Sequence, residues 1–142
     1  KERAMRYGLN ALYEGIKVVR AGEKIGEIGE AITRYLAVRG YNIIREFGGH
    51  HIGKEMHKQP LIPHHVDYTS PSYRQVLQEG AIICIEPMIT PGDGRGGMLG
   101  DGWTFVCLDH QPVVMFEHMI RVGKDGPEIL TKHLEEPKNE KQ

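Results

Sequence analysis

Two apolar runs, each with one glutamate inside it, constrain this chain more than any other feature: "AIICIEPMI" over residues 81 to 89 and "VVMFEHMIRV" over 113 to 122. Both read as strands, along which successive side chains point to opposite faces. The first run sets Ile82, Cys84, Glu86 and Met88 on one face and Ala81, Ile83 and Ile85 on the other. The second sets Val113, Met115, Glu117 and Met119 against Val114, Phe116, His118 and Ile120. Each glutamate is the lone acid of its stretch. A carboxylate ionised in such surroundings costs on the order of several kcal/mol unless it has a partner. Each must therefore meet an Arg or Lys, lie on an exposed edge, or share a cation.

A third donor comes from "GGHHIGKEMHKQP" (48 to 60), where histidines stand in a frame of glycines. Glycine permits close backbone approach, and imidazole supplies a ligand or a proton carrier. A histidine with two carboxylates suits manganese, iron, cobalt or zinc better than calcium or copper. Other candidates point elsewhere. His118 faces away from Glu117 and reads as structural, Cys84 as a core cysteine, and His64 and His65 as solvated loop residues. The glycines of 92 to 102 lack the Lys-Ser/Thr of a phosphate loop and read as turn formers.

The elements around these runs follow from periodicity. Met5, Leu9, Leu12, Ile16 and Val19 recur every three or four residues, which predicts a helix from about Glu2 to Arg20, stopped by Gly22. Its pattern is already running at the first residue, as expected of a processed or truncated N-terminus. Ile25, Ile28, Ile32, Tyr35 and Leu36 predict a second helix ending at Gly40. "YNIIREF" (41 to 47) predicts a strand, and 60 to 80 a long connection. "WTFVCLD" (103 to 109) and the run at 113 to 122 predict a hairpin around "HQ". Residues 1–133 read as one α+β unit, two helices packed on a curved, mainly antiparallel sheet, and 134–142 as a charged tail.

Composition narrows the class of function. A formal charge of −1 gives no pull toward nucleic acid or an acidic membrane. No run approaches the roughly 18 to 20 apolar residues of a membrane helix. Two cysteines, both in apolar runs, suit reduced buried thiols and a cytoplasmic setting.

"GGHHIGKEMHKQP", "IEPMI", "DGWTFV" and "MFEHMIRV", in that order, resemble the C-terminal half of a type I methionine aminopeptidase. That family has the pita-bread fold shared with creatinase and prolidase, and the match runs from the first helix to about Leu130. Prolidase-type enzymes resemble the chain less, because Met88, Glu117-His118 and the tryptophan of "GWT" favour the methionine-specific branch. The resemblance implies a metal-dependent aminopeptidase that removes N-terminal methionine from peptides and nascent proteins. It implies two divalent ions held by two aspartates, one histidine and two glutamates. By motif, His50 is the histidine ligand, Glu86 the non-bridging glutamate and Glu117 the bridging one. His57 contacts substrate beside the scissile bond, and Met56 and Trp103 line the methionine pocket. Hydrolysis then uses water activated by the ions, with Glu86 passing a proton to the leaving amine and His57 positioning the peptide carbonyl. Both aspartates belong to the half of the family fold upstream of these residues. His51, "HKQP", Met115 and Met119 also depart from the family pattern. The chain is thus expected to need a complementary N-terminal half, or to form a homodimer. The alternative is a pita-bread binding module without catalysis.

Overall fold

The computed structural model describes residues 1–132, so the expected tail at 134–142 lies outside the described residues. Helix α1 (Glu2–Lys17) ends three residues before Arg20, and Gly22 at φ +87° lies in the turn that follows. Helix α2 (Gly26–Ala37) stops as expected. Gly40 takes φ +68°, and the Tyr41 amide turns back to the Leu36 carbonyl at 3.4 Å. Small residues on α1 let the two helices and the sheet come close: a Cβ on Gly15 would stand 2.9 Å from Ile32, and one on Gly8 2.9 Å from Val114.

Ten short strands follow among the described residues: β1 (Asn42–Ile43), β2 (Gly49–His51), β3 (Lys58–Ile62), β4 (Ile82–Ile85), β5 (Met88–Thr90), β6 (Gly96–Met98), β7 (Phe105–Cys107), β8 (Val114–Met115), β9 (His118–Val122) and β10 (Pro127–Ile129). They pair antiparallel as β10-β9-β4-β2-β3, β1-β5-β8 and β6-β7. The two apolar runs are each one chain segment crossing from the first sheet to the second. "AIICIEPMI" supplies β4 and β5, and "VVMFEHMIRV" supplies β8 and β9. Ile85 pairs with His118 on one side of the crossing, and Met88 with Met115 on the other. The count of residues across the gap is equal on both segments, so the register carries through the bend. Pro87, which has no amide to donate, sits in that bend.

The helices cover one face of this bent sheet. Leu12 and Ile16 of α1 and Ile28 and Ile32 of α2 share a core with Ile83, Ile85, Ile89, Ile120 and Val122. Burying each such side chain contributes about 1.5–3 kcal/mol. Ile83 and Ile85 belong to the face opposite Cys84 and Glu86, so the helical layer and the glutamates lie on opposite sides of the sheet.

Three expectations need correction. Residues 103 to 109 form no hairpin with 113 to 122: Phe105–Cys107 pairs with Gly96–Met98 instead, while 113 to 122 is taken by the first apolar run. That competition is decided by burial, since Ile83 and Ile120, paired across β4 and β9, are both fully inside. The connection from 60 to 80 begins as strand, because β3 pairs with β2 across a bulge at His50 and His51. Of "YNIIREF" only Asn42–Ile43 is strand, bound to β5.

Candidate metal centre

The continued register places Glu86 and Glu117 directly across from each other at the bend, between the pairs Ile85–His118 and Met88–Met115. Residues opposite one another in a sheet share a face. His50 of β2 lies opposite Cys84 of β4, and Cys84 lies opposite Met119 of β9. One face therefore carries His50, Cys84, Glu86 and Glu117, drawn from two neighbouring strands and the bend.

The donor atoms converge. His50, Cys84 and Glu117 each bring one ligand-type atom within 4.8 Å of the other two. Glu86 joins through His50, whose Nε2 lies 3.3 Å from Glu86 Oε1. His50 is buried and Glu86 largely so. The imidazole Nδ1 of His50 donates to the carbonyl of His51 at 2.9 Å, so Nδ1 carries the proton. In the neutral ring Nε2 is then a bare lone pair turned toward a carboxylate oxygen, a repulsive contact unless a cation or a proton stands between them.

The electrostatics agree. Burial and then the charge of Glu117 push the Glu86 carboxyl up to about 6, against the opposing pull of His50. Burial, a hydrogen bond to Glu117 and the charges of Glu117 and Glu86 push the Cys84 thiol up to about 12. The thiol is thus a proton donor to Glu117, a contact that its expected role as a core cysteine did not include. Among the described residues, no Lys or Arg forms an ion pair with Glu86 or Glu117. Two facing carboxylates and an imidazole lone pair, without a protein cation, fit a divalent ion. Bonds of about 2.0–2.2 Å set two ligand atoms of one tetrahedral or octahedral ion roughly 3.0–3.5 Å apart, and the His50–Glu86 separation falls in that range.

His57 stands at the edge of this group, exposed, with its ring centroid 4.5 Å from that of His50. Met56 and Trp103 are not packed into it. Met56 is 68% exposed and Trp103 87% exposed, the latter on a turn where Asp101 accepts from the amides of Trp103 and Thr104. His118 is structural as expected, buried between Tyr13 and the hydroxyl of Thr131.

His64 overturns its reading as a solvated loop residue. It is 1% exposed, and its Nε2 accepts from the amides of Gly49 at 3.1 Å and Glu86 at 3.3 Å. Burial and then the neighbouring His65 and His50 drive its pKa down to about 3, so the ring is neutral with its proton on Nδ1. His65 is likewise half-buried, with burial first among the causes that lower its pKa. The sequence carried one faint signal for this: "LIP" before His64 is an apolar lead-in that does not suit a purely solvated loop.

Comparison with known proteins places these features in a wider group. The family model for metallopeptidase family M24 matches residues 1–124. The chain is 39% identical over 130 residues to methionine aminopeptidase A of Synechocystis sp., covering 92% of this chain and 50% of that protein. It is also 39% identical over 130 residues to a methionine aminopeptidase of Salmonella typhimurium, covering 92% of this chain and 48% of that one. The crystal structure of methionine aminopeptidase from Rickettsia prowazekii superposes with a TM-score of 0.85 at 37% identity, over 92% of this chain and 52% of that chain. The chain spans about half the length of the curated relatives it matches.

Proposed function

Because the chain belongs to metallopeptidase family M24, with the α+β pita-bread fold of its methionine aminopeptidase neighbours, we propose that it is the C-terminal, metal-binding half of an enzyme that removes N-terminal methionine from peptides and nascent proteins. One observation carries this reading furthest: Glu86 and Glu117 occupy matching positions in the gap between the pairs Ile85–His118 and Met88–Met115, with His50 Nε2 3.3 Å from Glu86 and no Lys or Arg ion pair on either acid among the described residues. His50, Glu86 and Glu117 are the proposed ligands, with manganese, iron, cobalt or zinc as the ion. Bound divalent ions supply Lewis acidity there, polarising the scissile carbonyl and making water nucleophilic at neutral pH.

The chain's own residues do the rest. Glu117, which interacts with both Cys84 and Glu86, would serve as the bridging ligand. Glu86 is placed to hand a proton to the leaving amine. His57, exposed beside His50, can donate to the peptide carbonyl and hold it in line. Met56 and Trp103, exposed here, would close a methionine pocket with residues of a complementary half. The complementary half, carrying two aspartates, is the proposed partner, with a homodimer as the form of the chain on its own. A cytoplasmic setting belongs to the same proposal, supported by the buried free thiols Cys84 and Cys107.

The test is methionyl-peptide hydrolysis with manganese or cobalt, with and without an N-terminal half bearing the aspartates. The expected result is negligible turnover alone, activity on reconstitution, and loss of that activity by 10³-fold or so in Glu117→Gln. Reconstituted protein that binds two ions yet leaves methionyl peptides intact would favour a binding module.

A further inference from the structure

We propose that His64 is a positioning residue for the metal centre: its Nε2 binds the amides of Gly49 and Glu86 together and so fixes the backbone that carries His50 and Glu86. This rests on the metal-site reading above.

The need for such a residue follows from the sheet. The ladder between β2 and β4 contains His51–Ile83 and His50–Cys84, and no pair is formed beyond them toward the bend. The amides of Gly49 and Glu86 come just past that end, where a buried N–H without an acceptor costs about 1–3 kcal/mol. Both amides donate to the same imidazole nitrogen, Nε2 of His64. The imidazole enters from the segment that follows β3. It fills the place of a carbonyl in the ladder and ties the end of β4 to the start of β2.

Space at this point is tight. A Cβ on Gly49 would stand 2.1 Å from the Cys84 carbonyl oxygen and 2.9 Å from His64 Nε2. Glycine at 49 is therefore what lets the ring reach both amides. The separation of 3.3 Å between His50 and Glu86 depends on two backbones that hang from one nitrogen. His64 cannot itself be a ligand, because both amides point into the only lone pair of its neutral ring. Its action on the ion is through His50 and Glu86, as outer residues orient metal ligands elsewhere.

The experiment titrates the 142-residue chain with Co²⁺, read by visible absorption and calorimetry, alongside amide hydrogen exchange at Gly49 and Glu86 in the metal-free chain. His64→Gln keeps an acceptor at the reach of Nε2, His64→Asn is polar but one bond too short, and His64→Leu has no acceptor. Co²⁺ affinity should fall about 10- to 100-fold in the Leu and Asn variants and stay within about threefold in the Gln variant. Exchange at the two amides should follow the same split. If the Leu variant does not fold, the contrast between Gln and Asn decides. Unchanged affinity in Leu or Asn overturns the proposal alone, as does equal loss in Gln and Asn, which would mark His64 as mere packing. An unsubstituted chain that binds no Co²⁺ overturns the metal-site reading and this proposal with it.

Discussion

At the scale of single residues, the centre opposes the stability of its own metal-free fold. Glu86 is held near 6 by burial and by Glu117 across the bend, whereas an ordinary glutamate titrates near 4.5. Between those values the folded chain keeps a proton that the unfolded chain releases. Stability is therefore lost as pH rises from 4.5 through about 6, and the penalty is complete above it. Glu86→Gln removes the charge. We expect this variant to be more stable than the parent at pH 7 without metal, by up to about 1 kcal/mol given partial solvent screening. The gain should vanish near pH 4.5. His64 adds an opposite slope, because its low pKa makes the folded chain lose stability as pH falls from 6.5 toward 3. That slope is common to both proteins and cancels in their difference. Urea unfolding of the two at pH 4.5, 6 and 7.5 gives the comparison. Co²⁺ affinity of the Gln variant should drop beyond the ~10–100-fold typical of an outer-residue change, since a ligand is gone. Equal urea midpoints at pH 7.5 would show that Glu86 is not strained by Glu117.

At the scale of elements, the bend between β4 and β5 is where close approach matters most. Gly49→Ala puts a methyl into the Cys84 carbonyl, and backbone cannot give as a side-chain tip can. A loss of about 1–3 kcal/mol is expected, with weaker Co²⁺ binding. Gly97 of β6 has open space where a Cβ would go, so Gly97→Ala is the control and should stay within about 0.5 kcal/mol. Chemical denaturation of the two variants gives the contrast, and a neutral Gly49→Ala would deny the close contact of β2 with β4. The same elements show what was legible beforehand. Alternation picked out Glu86 and Glu117 as lone acids, each on one face of its own apolar run, but it did not say that the two share a face. The pairing partner of 113 to 122 did not follow, since alternation says which face is buried but not which strand lies beside it. β3 was hidden by Pro60 and by the polar Lys58 and Gln59, which an edge strand tolerates. β6 was hidden by two glycines with little strand propensity. His64 was misjudged for a similar reason: its partners are main-chain amides far off in sequence, and no residue pattern records where a sheet ladder stops.

At the scale of the whole molecule, the sheet is covered by helices on one side only. Leu12, Ile16, Ile28 and Ile32 seal the face opposite the donors, and nothing comparable in the described residues covers the other. The chain instead shows apolar side chains to solvent. Met98 and Leu99 lie at the end of β6, Trp103 and Leu108 flank β7, and Val113 and Met115 lie at β8, the outer strand of its sheet. Among the described residues β8 has no strand on its outer side, the usual template for pairing with another chain. Apolar surface of this kind marks an interface when it exceeds a few hundred Å². The proposed complementary half would cover it. The 142 residues alone should bind a hydrophobic dye and sediment as a dimer or larger at micromolar concentration. Adding the N-terminal half should displace the dye, give a one-to-one complex and raise the bound divalent ions from one per chain to two. On the proposed ligand set the second ion would need the added aspartates, because Glu117 alone could not hold it against water. A stable monomer without dye binding would show that β8 and its surroundings are a finished surface. The missing ligands would then have to come from somewhere other than a partner docked there.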